Sequence, residues 1–153
     1  MSSPSRGIDI TSSVIVRRPP AEVFAFIADP ENNPRWQKGM KSCRITSEGP
    51  FELGATYAQE ARFLGKKIET LFEVTAFEAG RMIEITSTSG TFPIQVRRSV
   101  EPAAEGTRVR ARVQGDPTGV FALAKPLMKR MVKSSVDGDY ARLRSLLEGD
   151  DRA

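Results

Sequence analysis

Four residue types decide what chemistry this chain can do: it has no histidine, one cysteine (Cys43), two tyrosines (Tyr57 and Tyr140) and one tryptophan (Trp36). Without histidine, Ser-His-Asp and Cys-His mechanisms are closed, because the side chain that most often moves protons near neutral pH is missing. The usual donors for a zinc, haem or non-haem iron centre are missing with it, so no metal and no cofactor is expected. A single cysteine cannot make an internal disulfide. Acid–base work, if there is any, falls to tyrosine, arginine, lysine or carboxylates.

The sharpest position is Arg98, which falls in the alternating set Ile94, Val96, Arg98 and Val100. Regular pairing turns its guanidinium toward the interior, where an unpaired charge is costly. Asp139, Tyr57, Gln59 or the anionic head of a ligand could partner it, and the fixed fork of donors suits a carboxylate or phosphate. A bulge after Pro93 would instead shift the register by one and send Arg98 to solvent with Arg97; the pattern leaves both open. Tyr57, Arg98 and Asp139 are also the inward candidates for proton transfer beside an enolisable carbonyl, a task that a burial-raised pKa would suit in Asp139. Each has a structural alternative: Asp139 as a surface or ion-pair residue, Tyr57 and Tyr140 as core aromatics.

The elements that must position these residues follow from patterning. A length of 153 residues amounts to about one domain. At 39% hydrophobic and 27% charged, the composition is that of an ordinary globular protein. Residues 1–7 and 148–153 are polar ends expected to be flexible, around a single domain over 8–147. No stretch reaches the roughly 18 to 20 apolar residues of a membrane span, and the start lacks a secretory core, so a cytoplasmic location is expected. The excess of 23 Lys and Arg over 19 Asp and Glu is too small to demand a nucleic-acid partner, and with no exposed aromatics expected beside Arg108, Arg110 and Arg112 none is expected.

Ile8, Ile10, Val14 and Val16 alternate with period two and predict a half-buried strand. Pro19-Pro20 then opens a short helix with Val23, Phe24, Phe26 and Ile27 on its apolar face. Asp29-Pro30 stops it, and Asp29 caps a second short helix that ends at Trp36. From Lys41 to Gln114, turn signals at Gly49-Pro50, Leu64-Gly65, Ala79-Gly80, Ser89-Gly90 and Glu105-Gly106 divide an antiparallel meander. Val109, Ala111 and Val113 alternate with Arg108, Arg110 and Arg112, which puts the arginines outside. From Val120 to Leu147, Met128, Val132, Val136, Tyr140, Leu143 and Leu147 recur at helical spacing and predict one long amphipathic helix.

This order predicts an α+β domain: a curved antiparallel sheet of about six to seven strands wrapped on the long C-terminal helix, with two short helices after the first strand. Three landmarks carry a resemblance. They are Pro19-Pro20-Ala21-Glu22-Val23-Phe24-Ala25-Phe26-Ile27-Ala28-Asp29-Pro30 followed by Trp36, then Gly106-Thr107-Arg108-Val109, then Tyr140-Ala141-Arg142-Leu143. Together they resemble the START-like (SRPBCC) superfamily, the polyketide cyclase/dehydrase group, over residues 8 to 147. The resemblance implies a helix-grip fold whose cavity, in relatives, holds lipids, hormones or polyketides. Some members catalyse cyclisation or dehydration, while others bind, carry or act as partner-binding modules, so the fold alone does not choose.

With the apolar face turned inward, the expected ligand-contacting residues are Trp36, Tyr57, Gln59, Phe63, Ile68, Thr70, Phe72, Ile83, Ile85, Ser87, Val96, Arg98, Met128, Met131 and Ser135. Ala61, Ile94, Val100, Val109, Ala111, Val132 and Asp139 share those faces. The alternative is that these side chains meet and fill a solid core. Trp36, near Met40 and Phe51 in sequence, is either a lid on the cavity mouth or a staple packing the short helices on the sheet. Phe121, Leu123 and Ala124, before Pro126, would supply the opposite rim. Lys125, Lys129 and Lys133 stand four apart and offer a basic face for transient contact with an anionic membrane. The expected function is binding of a lipophilic small molecule (lipid, polyketide or aromatic, with or without an anionic group) by a monomer or homodimer acting as carrier, sensor or sequestering protein. The alternatives are a cofactor-independent polyketide cyclase/dehydratase and a partner-binding or toxin-like regulatory module.

Overall fold

The computed structural model describes residues 7–63, 65–90, 93–116 and 125–149. Strand β1 runs Ile8–Val16, and its alternating apolar residues leave Ile8, Ile10 and Val16 buried. Helix α1 (Pro20–Ala28) begins where Pro19 is extended and Pro20 has no N–H to lose. It buries Val23, Phe24 and Ile27. Asp29 then caps a single 3₁₀ turn (Pro30–Asn32), its Oδ1 accepting the Glu31 N–H at 3.0 Å. One turn of helix, α2 (Asn33–Trp36), follows directly and delivers the tryptophan.

Six strands follow: β2 (Met40–Ile45), β3 (Thr56–Phe63), β4 (Lys66–Glu78), β5 (Met82–Ser89), β6 (Ile94–Ala103) and β7 (Gly106–Gly115). Every neighbouring pair is antiparallel, and the spatial order β1-β7-β6-β5-β4-β3-β2 places the first strand beside the last. Register shifts at Met40/Ser42, Leu71/Phe72 and Val74/Ala76 bend the sheet where an extra residue interrupts the ladder. The concave face grips helix α3 (Lys125–Gly149), which buries Met128, Tyr140, Leu143 and Leu147 against it. The predicted start of that helix at Val120, and the rim expected from Phe121, Leu123 and Ala124, lie outside the described residues. No described helix is long and apolar enough to cross a membrane.

The outer face is wet, as the alternation required. Arg112 makes two hydrogen bonds to the Asp9 carboxylate at 2.7 and 3.0 Å, while Arg108 and Arg110 share Glu101. Arg97 reaches Glu84 from the same side. The Gly106-Thr107 landmark has a steric origin. Gly106 sits at φ +147°, and a Cβ there would lie 2.3 Å from the Val16 carbonyl oxygen. Thr107 donates its hydroxyl to the Arg18 carbonyl at 2.6 Å, which pins the β6–β7 turn to the end of β1.

Candidate functional site

The space between sheet and α3 is filled at one end and open at the other, and side-chain volume decides which. At the filled end the inward positions carry large rings. Trp36 (0% exposed) meets Tyr140 edge-on at 4.9 Å between centroids, and Tyr57 stacks on Phe72 at 5.2 Å. Val74, Ile83, Ile85, Val96, Val100, Val109 and Ala111 complete this cluster with α1 and the C-terminal half of α3. At the other end the inward positions carry small or slender side chains: Ala61, Thr70, Gly115 and Ser135. Packing cannot close that space, and a cavity of 210 Å³ remains.

Its apolar wall is Ile8, Met40, Ala61, Ile68, Ile94, Val113, Met128 and Val132, and its polar groups are Gln37, Gln59, Arg62, Thr70, Gln114, Ser135 and Asp139. A mostly aliphatic surface with a few convergent polar groups is what a lipophilic small molecule requires. The volume sets the scale, since an apolar cavity of about 150 Å³ accepts benzene. This one suits one or two rings, or a short chain, rather than an entire lipid.

The structure therefore divides the residues expected to meet a ligand. Gln59, Ile68, Thr70, Met128 and Ser135 line the cavity, with Ala61, Ile94, Val132 and Asp139 from the same inward faces. Trp36, Tyr57, Phe72, Ile83, Ile85 and Val96 lie in the filled core instead, because large side chains facing one another close the space. Ser87 has its hydroxyl committed to the Ile94 N–H at 2.9 Å. Met131 points outward, 37% exposed, because it falls on the flank of α3 away from the sheet. The Phe63 side chain lies outside the described residues. Trp36 takes the staple position: its carbonyl accepts from Arg142 of α3 at 2.9 Å, so it ties the short helices to the long one.

Arg98 does turn inward; the β6 register is regular there, with Ile83 and Ala111 opposite it, and the residue is 8% exposed. Tyr57 and Asp139, both proposed from sequence, act on it only through space, and its hydrogen-bond partner is a different residue. The Nε–H donates to the Tyr140 hydroxyl at 2.9 Å, and the guanidinium lies 5.2 Å over the Trp36 ring. A hydroxyl and a ring face hold the cation, with no carboxylate among the described residues hydrogen-bonded to it. Burial pushes both the Tyr57 and the Tyr140 phenol above their ordinary pKa, so both stay neutral. Cys43 is held in the same region, its thiol pushed up to about 11 by burial, and is a poor nucleophile.

Arg98 acts electrostatically on both Tyr57 and Asp139, but the three do not share the cavity wall. Asp139 alone stands on the cavity wall. Its Oδ1 accepts from the Lys38 backbone N–H at 3.1 Å and from Arg142 at 3.0 Å, and no described residue bonds Oδ2. Burial raises its pKa above the usual 3.8, with the two hydrogen bonds pulling the other way. A carboxyl group whose pKa is raised in the folded state stabilises the fold most below 3.8, and that stabilisation is lost as pH rises through the folded value. Asp139→Asn, which keeps an acceptor for Lys38 and Arg142, is therefore expected to gain stability relative to the parent as pH rises through this range. Urea midpoints measured against pH check it, and parallel profiles for the two proteins would refute the burial effect.

Gln37, Gly39, Met40, Arg62, Gln114 and Gly115 were not assigned to the wall from sequence. Gln37 and Gly39 lie in an irregular connection with no periodicity to read, while Arg62 and Gln114 sit where strands run out and alternation stops predicting direction. Ile8 and Val113 did carry a signal, since both continue inward-facing alternations.

A family model described as polyketide cyclase/dehydrase and lipid transport matches residues 7–148. No curated protein matches the chain significantly. Among solved structures, TTHA0849 from Thermus thermophilus is 18% identical with a TM-score of 0.81, covering 93% of this chain and 98% of that one. A START superfamily protein from Mycobacterium smegmatis is 15% identical with a TM-score of 0.79, covering 92% and 97%. The di-domain ARO/CYC StfQ from the steffimycin biosynthetic pathway is 10% identical with a TM-score of 0.72; the match covers 96% of this chain and 52% of that one.

Proposed function

Since the chain belongs to the polyketide cyclase/dehydrase and lipid-transport family of the START-like fold, we propose that it holds a small lipophilic molecule in the cavity between β3, β4, β7 and α3, as carrier, sensor or sequestering protein. The observation that carries this reading is the unfilled 210 Å³ space with its aliphatic wall, in a domain whose other end is tightly packed. Native mass spectrometry of the purified protein, followed by extraction and identification of what is bound, tests it. A reproducible adduct of one or two rings or a short chain is expected; a clean apo mass, together with no uptake of naphthalene-sized probes, would overturn it.

Where the ligand is acidic, the cation available on the wall is the exposed Arg62, because Arg98 lies outside the cavity and is engaged by Tyr140 and Trp36. With 1-naphthoic acid as probe, Arg62→Ala is expected to lower affinity a few-fold, the size of an exposed ion pair of about 0.2–1 kcal/mol. Neutral naphthalene should bind that variant unchanged. Loss of the acid's advantage in Arg98→Ala rather than Arg62→Ala would reverse this assignment.

A second reading, a cofactor-independent cyclase or dehydratase, draws on Asp139, whose free Oδ2 and raised pKa suit a group that takes and returns a proton beside a bound carbonyl. In that case Asp139→Asn loses turnover of a poly-β-ketone while still binding it. Turnover that survives the substitution removes Asp139 from the chemistry.

A further inference from the structure

Helix α3 presents a face that neither the core nor the cavity uses. Among the described residues four large hydrophobics are exposed, and two of them, Leu127 at 58% and Met131 at 37%, stand one helical turn apart. Arg130, Lys38 and Arg142 line the same open groove. The neighbouring carboxylates are already engaged: Asp139 by Lys38 and Arg142, Asp137 by Lys133 and Ser12, and Asp9 by Arg112. Lys38 and Arg130 form no ion pair with any described residue. The groove also shares Ser135 and Asp139 with the cavity wall, so whatever rests on it lies beside the bound molecule.

We propose that this face docks on an anionic bilayer, with Leu127 and Met131 entering the headgroup boundary and Arg130 and Lys38 meeting the lipid charge. Two apolar side chains flanked by the unpaired Arg130 and Lys38, with Asp139 neutralised by Arg142, match an anionic lipid surface. A protein interface also favours Met and Arg but centres on aromatics and avoids lysine, whereas this groove has Lys38 and, among the described residues, no aromatic. The contact differs from the lysine face read from sequence. Lys133 is paired with Asp137 at 2.8 Å, the Lys125 side chain lies outside the described residues, and Lys129 faces the groove beside β1. Beside the cavity, such docking places a lipophilic molecule within reach of the membrane that supplies or receives it.

Sedimentation of the full chain with vesicles tests the proposal, using phosphatidylcholine alone and phosphatidylcholine mixed with phosphatidylserine. Binding is expected only with the anionic lipid. It should fall steeply between about 0.1 and 1 M salt, where the screening length drops from about 10 to 3 Å. Arg130→Glu should lower partitioning on the order of tenfold, and Leu127→Glu at least as much. Both variants should keep the parent's melting temperature and its cavity adduct, because neither side chain lines the cavity; membrane docking and ligand binding therefore succeed or fail separately. Absence of vesicle binding, equal binding to neutral vesicles, or undiminished binding by Leu127→Glu would overturn it. So would retention on heparin in place of vesicles, which would give the face to a soluble polyanion.

Discussion

Trp36→Ala is expected to cost about 3–5 kcal/mol of folding stability, the range for emptying a buried aromatic site, out of the roughly 5–15 kcal/mol a domain has. The indole is 0% exposed, lies edge-on to Tyr140 and offers its face to the Arg98 guanidinium. Its removal leaves a cavity and also takes from a buried cation one of the two groups that hold it, so the loss belongs at the upper end. Trp36→Phe keeps a ring there and deletes an indole N–H that is buried with no acceptor among the described residues. It should cost markedly less than alanine. Urea denaturation of the three proteins checks the order. Were Trp36 a lid over the cavity, alanine would leave stability within about 0.5 kcal/mol and change only ligand exchange.

That staple shows what patterning could and could not deliver. The strands, the two short helices and the grip of the long helix were legible because each is a periodic signal: Val109, Ala111 and Val113 against three arginines, or Met128 to Leu147 at helical spacing. For Arg98 patterning left two registers open, inward or outward after a bulge, and only the regular β6 ladder decides for inward. What holds Arg98 was not legible, since Tyr140 lies 42 residues away on another element and its spacing marks it only for packing. The hydroxyl that accepts from Arg98 belongs to a ring that also packs, and periodicity reports only the ring.

The cavity shows the complementary limit. Alternation says that Tyr57, Gln59 and Ala61 face the same way, yet it does not say how far the opposite wall stands from each. Distance across the fold decides whether an inward residue fills space or lines it. At Tyr57 the ring meets Phe72 and Phe51, while at Ala61, four residues along β3, a methyl group leaves the space open. Side-chain volume along the strand was the readable clue: large rings crowd one end, and Ala61, Thr70 and Ser135 mark the other.

Ala61→Trp should therefore abolish the cavity's capacity while sparing the fold. Ala61 pairs with Ile68 on β4 and Met40 on β2, and its side chain faces the void. An indole is larger than the benzene that an apolar cavity of about 150 Å³ accepts, so most of the 210 Å³ is occupied. Two measurements decide the matter together. Loss of the bound adduct with stability held within about 1 kcal/mol means the indole entered existing space; a cost of about 1–3 kcal/mol or more, as in overpacked cores, means the space was already filled. An adduct that persists in a stable Ala61→Trp protein would place the ligand elsewhere. Arg62→Ala supplies an independent check, because it removes wall charge without removing volume, and the two variants should separate an acidic probe's affinity from the capacity to hold any probe at all.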